Sequence, residues 1–157
     1  MKKILLSTAA MALLFTACKK DDNSNNNQTN SGTFKIGTKS YNAQLVQVYD
    51  SLAGFFVHAA SPDNGTGTLM ISFASTPTTS GSYAIVNRQS ALPDPGQIHL
   101  LGNSGGIVYS ATGSDNKNAT VTVNGNNVTV SFPESYAKNV SGGTDSLQIS
   151  GNVTFQK

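Results

Sequence analysis

From Leu147 to Gln156 the chain alternates without a break, setting Leu147, Ile149, Gly151, Val153 and Phe155 against Gln148, Ser150, Asn152, Thr154 and Gln156. A helix would scatter those apolar groups around its circumference, whereas a strand turns them all to one side. The stretch therefore predicts a strand with one face in a core and the other in water. A strand of that kind needs further strands to cover its apolar face, so the pattern commits the chain to a layered β architecture.

Other segments repeat the alternation. Val121-Thr122-Val123 and Val128-Thr129-Val130-Ser131-Phe132 flank Asn124-Gly125-Asn126-Asn127, whose residues tolerate positive φ, and this predicts a hairpin. Earlier strands are expected over Thr33–Ile36, Ser40–Tyr49, Gly54–Ala60, Thr68–Ser75, Ser82–Asn87, Gln97–Leu101 and Ile107–Ala111. Within Ser40–Tyr49 the apolar phase shifts between Leu45 and Val46, which predicts a bulge. Pro- and Gly-rich joints such as Ser61–Gly65, Thr76–Gly81 and Pro93–Gly96 separate the strands, and Pro133 to Gly143 reads as the least regular region. No segment carries a helical stripe. The expected fold is all-β, an antiparallel β-sandwich or flattened barrel of about 8–10 strands, with a lipocalin-like closed barrel as the alternative.

The first 32 residues follow different rules. Met1-Lys2-Lys3 is positively charged and Ile4–Phe15 is free of charge. Twelve helical residues reach about 18 Å, short of a hydrocarbon core of about 30 Å, so this reads as a secretory leader rather than a membrane span. It stops at Cys18, the single cysteine of the 157 residues. One cysteine allows neither an internal disulfide nor a Cys-based metal cluster. Cleavage before Cys18 would place Phe15 where signal peptidase wants a small residue. Phe15-Thr16-Ala17-Cys18 resembles instead a bacterial lipobox, with Phe standing where Leu is more usual. The resemblance implies that residues 1–17 are removed and that Cys18 is acylated. Two or more acyl chains, at about 0.8 kcal/mol per buried CH₂, hold a protein stably on a membrane.

Cys18-Lys19-Lys20-Asp21-Asp22 is similar to the start of mature envelope lipoproteins in Bacteroidota-type bacteria. Gly81-Ser82-Tyr83 and Ser150-Gly151-Asn152-Val153-Thr154-Phe155 resemble strands of their β domains. The likeness implies an outer-membrane lipoprotein, facing the cell surface or the periplasm, and leaves that orientation open. Residues 18–32 are expected to form a lipidated cysteine plus tether, because Asn23 to Gly32 contains no apolar group to offset the entropy of ordering it. A coil of that length spans roughly 20 Å. One β domain is expected over 33–157, large enough to bury about two-thirds of its unfolded surface without a metal or disulfide.

Charge narrows the partners. Of ten basic residues, Lys2 and Lys3 fall in the leader, leaving eight against eight acidic ones. A neutral chain has no field with which to gather nucleic acid, so none is expected as a partner. His58 and His99 are far apart and form no metal-binding pattern. Glu134 is the only glutamate, and Asp50, Asp63, Asp94, Asp115 and Asp145 mostly fall in turns, where aspartate caps backbone N–H groups. Asp63–Gly67 and Asp115–Asn118 offer oxygen ligands but lack an EF-hand's spacing, and they read as turns. No cofactor and no catalytic set is expected.

Asp50-Ser51-Leu52 and Asp145-Ser146-Leu147 both resemble the O-glycosylation tripeptide of Bacteroidota secreted proteins, which implies modification at Ser51 or Ser146. Carbohydrate faces stack on exposed aromatic rings, and in a chain without Trp the candidates are Tyr41, Tyr49, Tyr83, Tyr109 and Tyr136; Tyr136, in the least regular region, is the expected ligand contact. The expected function is a lipid-anchored, non-catalytic envelope domain with a binding or display role, its envelope ligand or partner unspecified. A carbohydrate-binding surface lipoprotein and a lipocalin-like small-molecule carrier are the alternatives.

Overall fold

The computed structural model describes residues 30–52, 54–62, 67–88 and 92–157. Phe15, Thr16, Ala17, Cys18 and the tether up to residue 29 lie outside the described residues. Eleven strands fill them: β1 (Ser31–Ile36), β2 (Lys39–Ala43), β3 (Leu45–Ser51), β4 (Gly54–Ser61), β5 (Gly67–Phe73), β6 (Gly81–Ile85), β7 (Gln97–Ser104), β8 (Ile107–Ala111), β9 (Asn118–Asn124), β10 (Asn127–Asn139) and β11 (Ser146–Gln156). The fold is all-β, as the alternation requires.

The strands join in one sheet, in the order β2-β1-β11-β10-β9-β6-β7-β5-β4-β3, with β8 filling the space between β7 and β10. The two ends of this path, β2 and β3, are consecutive in the chain. Only Gln44 separates them, and its N–H donates to the Ala60 carbonyl at 3.1 Å. The first half of the kinked strand therefore pairs with β1 and the second half with β4, so the wall returns on itself as a sandwich or flattened barrel does. One pairing departs from the antiparallel expectation: β6 and β7 run parallel through Ala84↔Gln97 and Ile85↔Ile98. The joint after β6 is long enough to carry the chain back across the sheet, which a parallel pair requires and a tight hairpin cannot provide.

Two irregularities set which side chains face inward. Tyr41 and Ala43 are buried on β2 and Val46 on β3, so the expected phase shift is present. It falls at Gln44, however, and leaves Leu45 half exposed on the outer side. The second lies in β10. Pro133–Asn139 continues that strand and is not irregular as expected, because a bulge absorbs the proline. Phe132 pairs with Gly151 and Ser135 with Ile149, so three steps on β10 match two on β11. Proline has no N–H to lose from the ladder at such a place. Beyond the bulge the inward phase changes from Val128, Val130 and Phe132 to Ser135 and Ala137.

Rings fill the interior. Phe155 of β11 meets Phe55 of β4 with centroids 5.7 Å apart, so opposite walls touch, and Phe55 also meets Phe73 at 6.1 Å. Phe34 stacks on Tyr41 at 5.2 Å. Each such pair is worth about 0.5–1.5 kcal/mol beyond its area burial. Gly151 takes an inward position on β11 because any β-carbon there would stand 2.8 Å from Phe132 Cζ and 2.9 Å from Phe34 Cβ.

The domain also begins earlier than expected. Ser31 and Gly32 belong to β1, and the carboxamide of Asn30 ties two strands together. Its Oδ1 accepts the Gln156 N–H at 2.9 Å while its Nδ2 donates to the Val46 carbonyl at 3.2 Å.

Candidate functional site

The two outer faces of the wall differ in chemistry. Around β2, β1, β11, β10 and β9, register aligns Asn42, Thr33, Asn152, Ser131 and Thr120 in one row. A second row carries Ser40, Lys35 and Ser150. The rows border an open groove of about 430 Å³, lined also by Phe34, Tyr41, Phe132 and Gly151. The outward strand positions of this face are otherwise polar, with Thr129 and Thr154 hydroxyls sharing a hydrogen bond at 2.9 Å.

The outer face of β3, β4, β5 and β7 differs. There Tyr49 pairs across the strands with Phe56, Phe56 with Ser72, and Ser72 with His99. The next row runs from Gln47 to His58, Met70 and Leu101. Leu45, Tyr49, Phe56, Met70 and Leu101 thus share a surface without one carboxylate, ammonium or guanidinium at its outward strand positions. The local reason is in the sequence of β4, where Phe55, Val57 and Ala59 point into the core and Phe56, His58 and Ala60 point out, all without a charge.

Part of this face is covered. Residue Leu92 packs on Gly54, where a β-carbon would lie 2.5 Å from Leu92 Cδ2, and Pro93 is buried. His99 and Ser72, although outward on their strands, are also buried, at 3% and 2% exposure. His99 Nδ1 has no hydrogen-bond partner among the described residues. Burial, and secondarily the nearby Arg88 charge, hold the imidazole below the ordinary histidine range. The uncovered remainder is a ledge around Tyr49, Phe56 and His58. Tyr49 is 51% exposed, and its hydroxyl donates to Gln47 Oε1 at 2.8 Å.

The histidines thus share one face, as neither their spacing nor their neighbours announced. They remain too far apart to hold one ion: two interstrand steps and a two-residue offset separate them by about 10 Å and about 7 Å. Among the described residues no group of three His, Cys, Asp or Glu side chains is arranged to ligate a metal.

The aspartates secure loops. Asp50 Oδ2 accepts the Thr76 hydroxyl at 2.7 Å, and Asp115 Oδ2 accepts the Tyr136 N–H at 2.9 Å. Asp145 accepts the Tyr109 hydroxyl at 2.7 Å on Oδ2 and the Asn139 amide at 2.5 Å on Oδ1. These two donors, Asn139 foremost, hold the Asp145 carboxyl below the usual carboxylate range, and the same contact pushes the Tyr109 hydroxyl up. Asp63 lies outside the described residues.

The remaining expected positions are scattered. Tyr136 is 36% exposed on the outer side of β10, and its carbonyl accepts the Thr112 N–H at 3.0 Å, so its backbone seals the joint between β8 and β9. It belongs to the polar wall and not to the ledge. Ser51 and Ser146 are both exposed, at the end of β3 and the start of β11. Those strands run the same way and Asn30 sets Val46 level with Gln156, so the two serines lie toward opposite ends. Sequence reasoning gave Tyr49 only as one of five candidate rings and did not join it to Phe56. The available signal was the absence of a polar side to Gly54–Ala60, which in a sheet with one wet face marks an outer surface that is covered or used.

The chain matches no family model, no curated protein and no solved structure.

Proposed function

We propose that the protein is a lipid-anchored cell-envelope protein whose β domain binds a ligand and does no chemistry of its own. Residues 1–17 are the leader, Cys18 is the acylated residue, and the following polar residues tether the domain to the outer membrane, at the surface or toward the periplasm. The observation that carries the binding role is the contrast between the two outer faces. A domain that needed only to stay soluble would put Thr, Asn and Ser on both, as it does around β1 and β11. Instead it leaves an uncharged aromatic and aliphatic ledge on β3–β4–β5. Use of the aspartates as loop anchors supports a non-catalytic reading. Contact between Phe55 and Phe155 across the interior favours a ligand on the outside over one carried within.

Metabolic labelling with a palmitate analogue tests the anchor. The expressed protein takes up label and fractionates with membranes, and Cys18→Ala loses both. An unlabelled protein, or a Cys18→Ala variant that stays with membranes, would remove this reading. Exposure of Ser51 and Ser146 at strand ends favours their O-glycosylation. Intact mass of the native protein checks it, since S51A and S146A each shed one glycan if both carry one.

A further inference from the structure

We propose that the ledge on β3, β4 and β5 binds a neutral carbohydrate, with Tyr49 as its stacking platform and His58 and Gln47 as its polar edge. This deepens the binding role proposed above and rests on it.

Three observations lead there. The first is the attitude of the Tyr49 ring. Its hydroxyl bonds Gln47, two residues back on the same strand face, so the ring lies along β3 instead of standing into solvent. Half of the residue stays open to solvent, and its rotamer is held before any ligand arrives, which lowers the ordering cost of binding. The second is the pattern around the ring. Phe56 is its cross-strand partner and Met70 lies one strand further, opposite His58, giving an apolar floor with hydrogen-bonding groups at its border. A pyranose has the matching form, with C–H faces that pack on a ring and hydroxyls at the rim.

The third is what the ledge lacks. No charged side chain occupies an outward position of β3, β4 or β5; the Arg88 charge acts on His99 of β7, and the Asp50 carboxylate is engaged by Thr76, so the ledge itself offers an ionic ligand no counter-charge. Its size also decides between partner classes. Three strands at about 4.8 Å and five residues at about 3.3 Å enclose on the order of 200 Å². A stable protein interface needs about 800 Å² from each partner, so the ledge suits a small ligand or a short stretch of polymer.

The test uses the full mature chain carrying Cys18→Ser, which removes the acylation site, titrated with neutral cello-, malto-, manno- and xylo-hexaose. Amide chemical shifts and calorimetry are the readouts. With at least one hexaose, shifts should centre on Gln47–Tyr49, Phe56 and His58. Tyr49→Ala should weaken binding about threefold to tenfold, the worth of a stacking contact. Tyr49→Phe should retain much of it, and Tyr136→Ala all of it. An unchanged unfolding midpoint for Tyr49→Ala shows that a loss is local. Absence of binding to all four hexaoses overturns the proposal, as does binding that survives Tyr49→Ala. Acylation is read separately by labelling, so either result leaves the anchor standing or falling on its own evidence.

Discussion

The ring of Tyr41 lies against Gly67, in the space where any other residue's β-carbon would stand. Tyr41 is also stacked on Phe34 and its hydroxyl bonds Ser104 Oγ at 2.7 Å, so it is held on three sides and cannot retreat. Gly67→Ala should therefore destabilise the domain by about 1–3 kcal/mol, the usual cost of overpacking. Gly81→Ala is the control, because its nearest neighbour would be 3.8 Å away. Urea unfolding of both variants checks this, and equal midpoints would refute the account of Tyr41.

Phe55 and Phe155 come from strands that are not neighbours and are almost wholly buried. Truncating either to Ala should cost about 3–5 kcal/mol. Because the rings touch, the double variant should cost less than the two single losses together. Strict additivity in a double-mutant cycle would show that the walls do not meet there.

The Asp145 clamp makes the β10–β11 connection sensitive to acid. Its folded carboxyl lies below the ordinary value of about 3.9, so its contribution is complete above that pH and is lost as pH falls through the lower folded value. Tyr109→Phe removes one of the two donors and should bring the Asp145 titration midpoint upward. Carbon-detected NMR of the Asp145 carboxyl reads this, and hydrogen exchange at Asn139, whose N–H donates to the Asp145 carbonyl, should accelerate with it. Coincident midpoints in the two proteins would contradict the arrangement.

His99 acts in a different window. Its folded imidazole titrates below the unfolded value of about 6.5, so the unfolded chain takes up protons first as pH falls. Stability should be full above about pH 6.5 and decline below it, through the lowered folded value. His99→Asn should flatten the dependence of the urea midpoint between about pH 7.5 and pH 5. A variant with the same slope as the parent would rule out burial of the neutral ring as its source.

How far the sequence could be read depended on whether the signal was local. Leu147–Gln156 announced its own strand, and Val128–Phe132 did the same, because side-chain alternation is a property of single strands. The kink was legible as a phase shift, but counting could not tell that Leu45 would face outward. That depended on Gln44 reaching Ala60 of β4. Pro133 read as the end of a strand because nothing nearby signals that β11 will accommodate a bulge. The same apparent irregularity favours Tyr136 among the five tyrosines, and nothing local to Tyr49 shows that Phe56 will lie across from it.

The sequence by itself determined the β class, most of the strands and the charge balance of residues 18–157, since each follows from the residues themselves. Tertiary structure alone decided that the path returns on itself through one kinked strand. It alone put His58 and His99 on a common face, and left Tyr49 open while Leu92 covers Gly54. Those outcomes depend on which strands become neighbours. That choice is made by long-range packing among rings such as Phe55 and Phe155, a hundred residues apart in the chain.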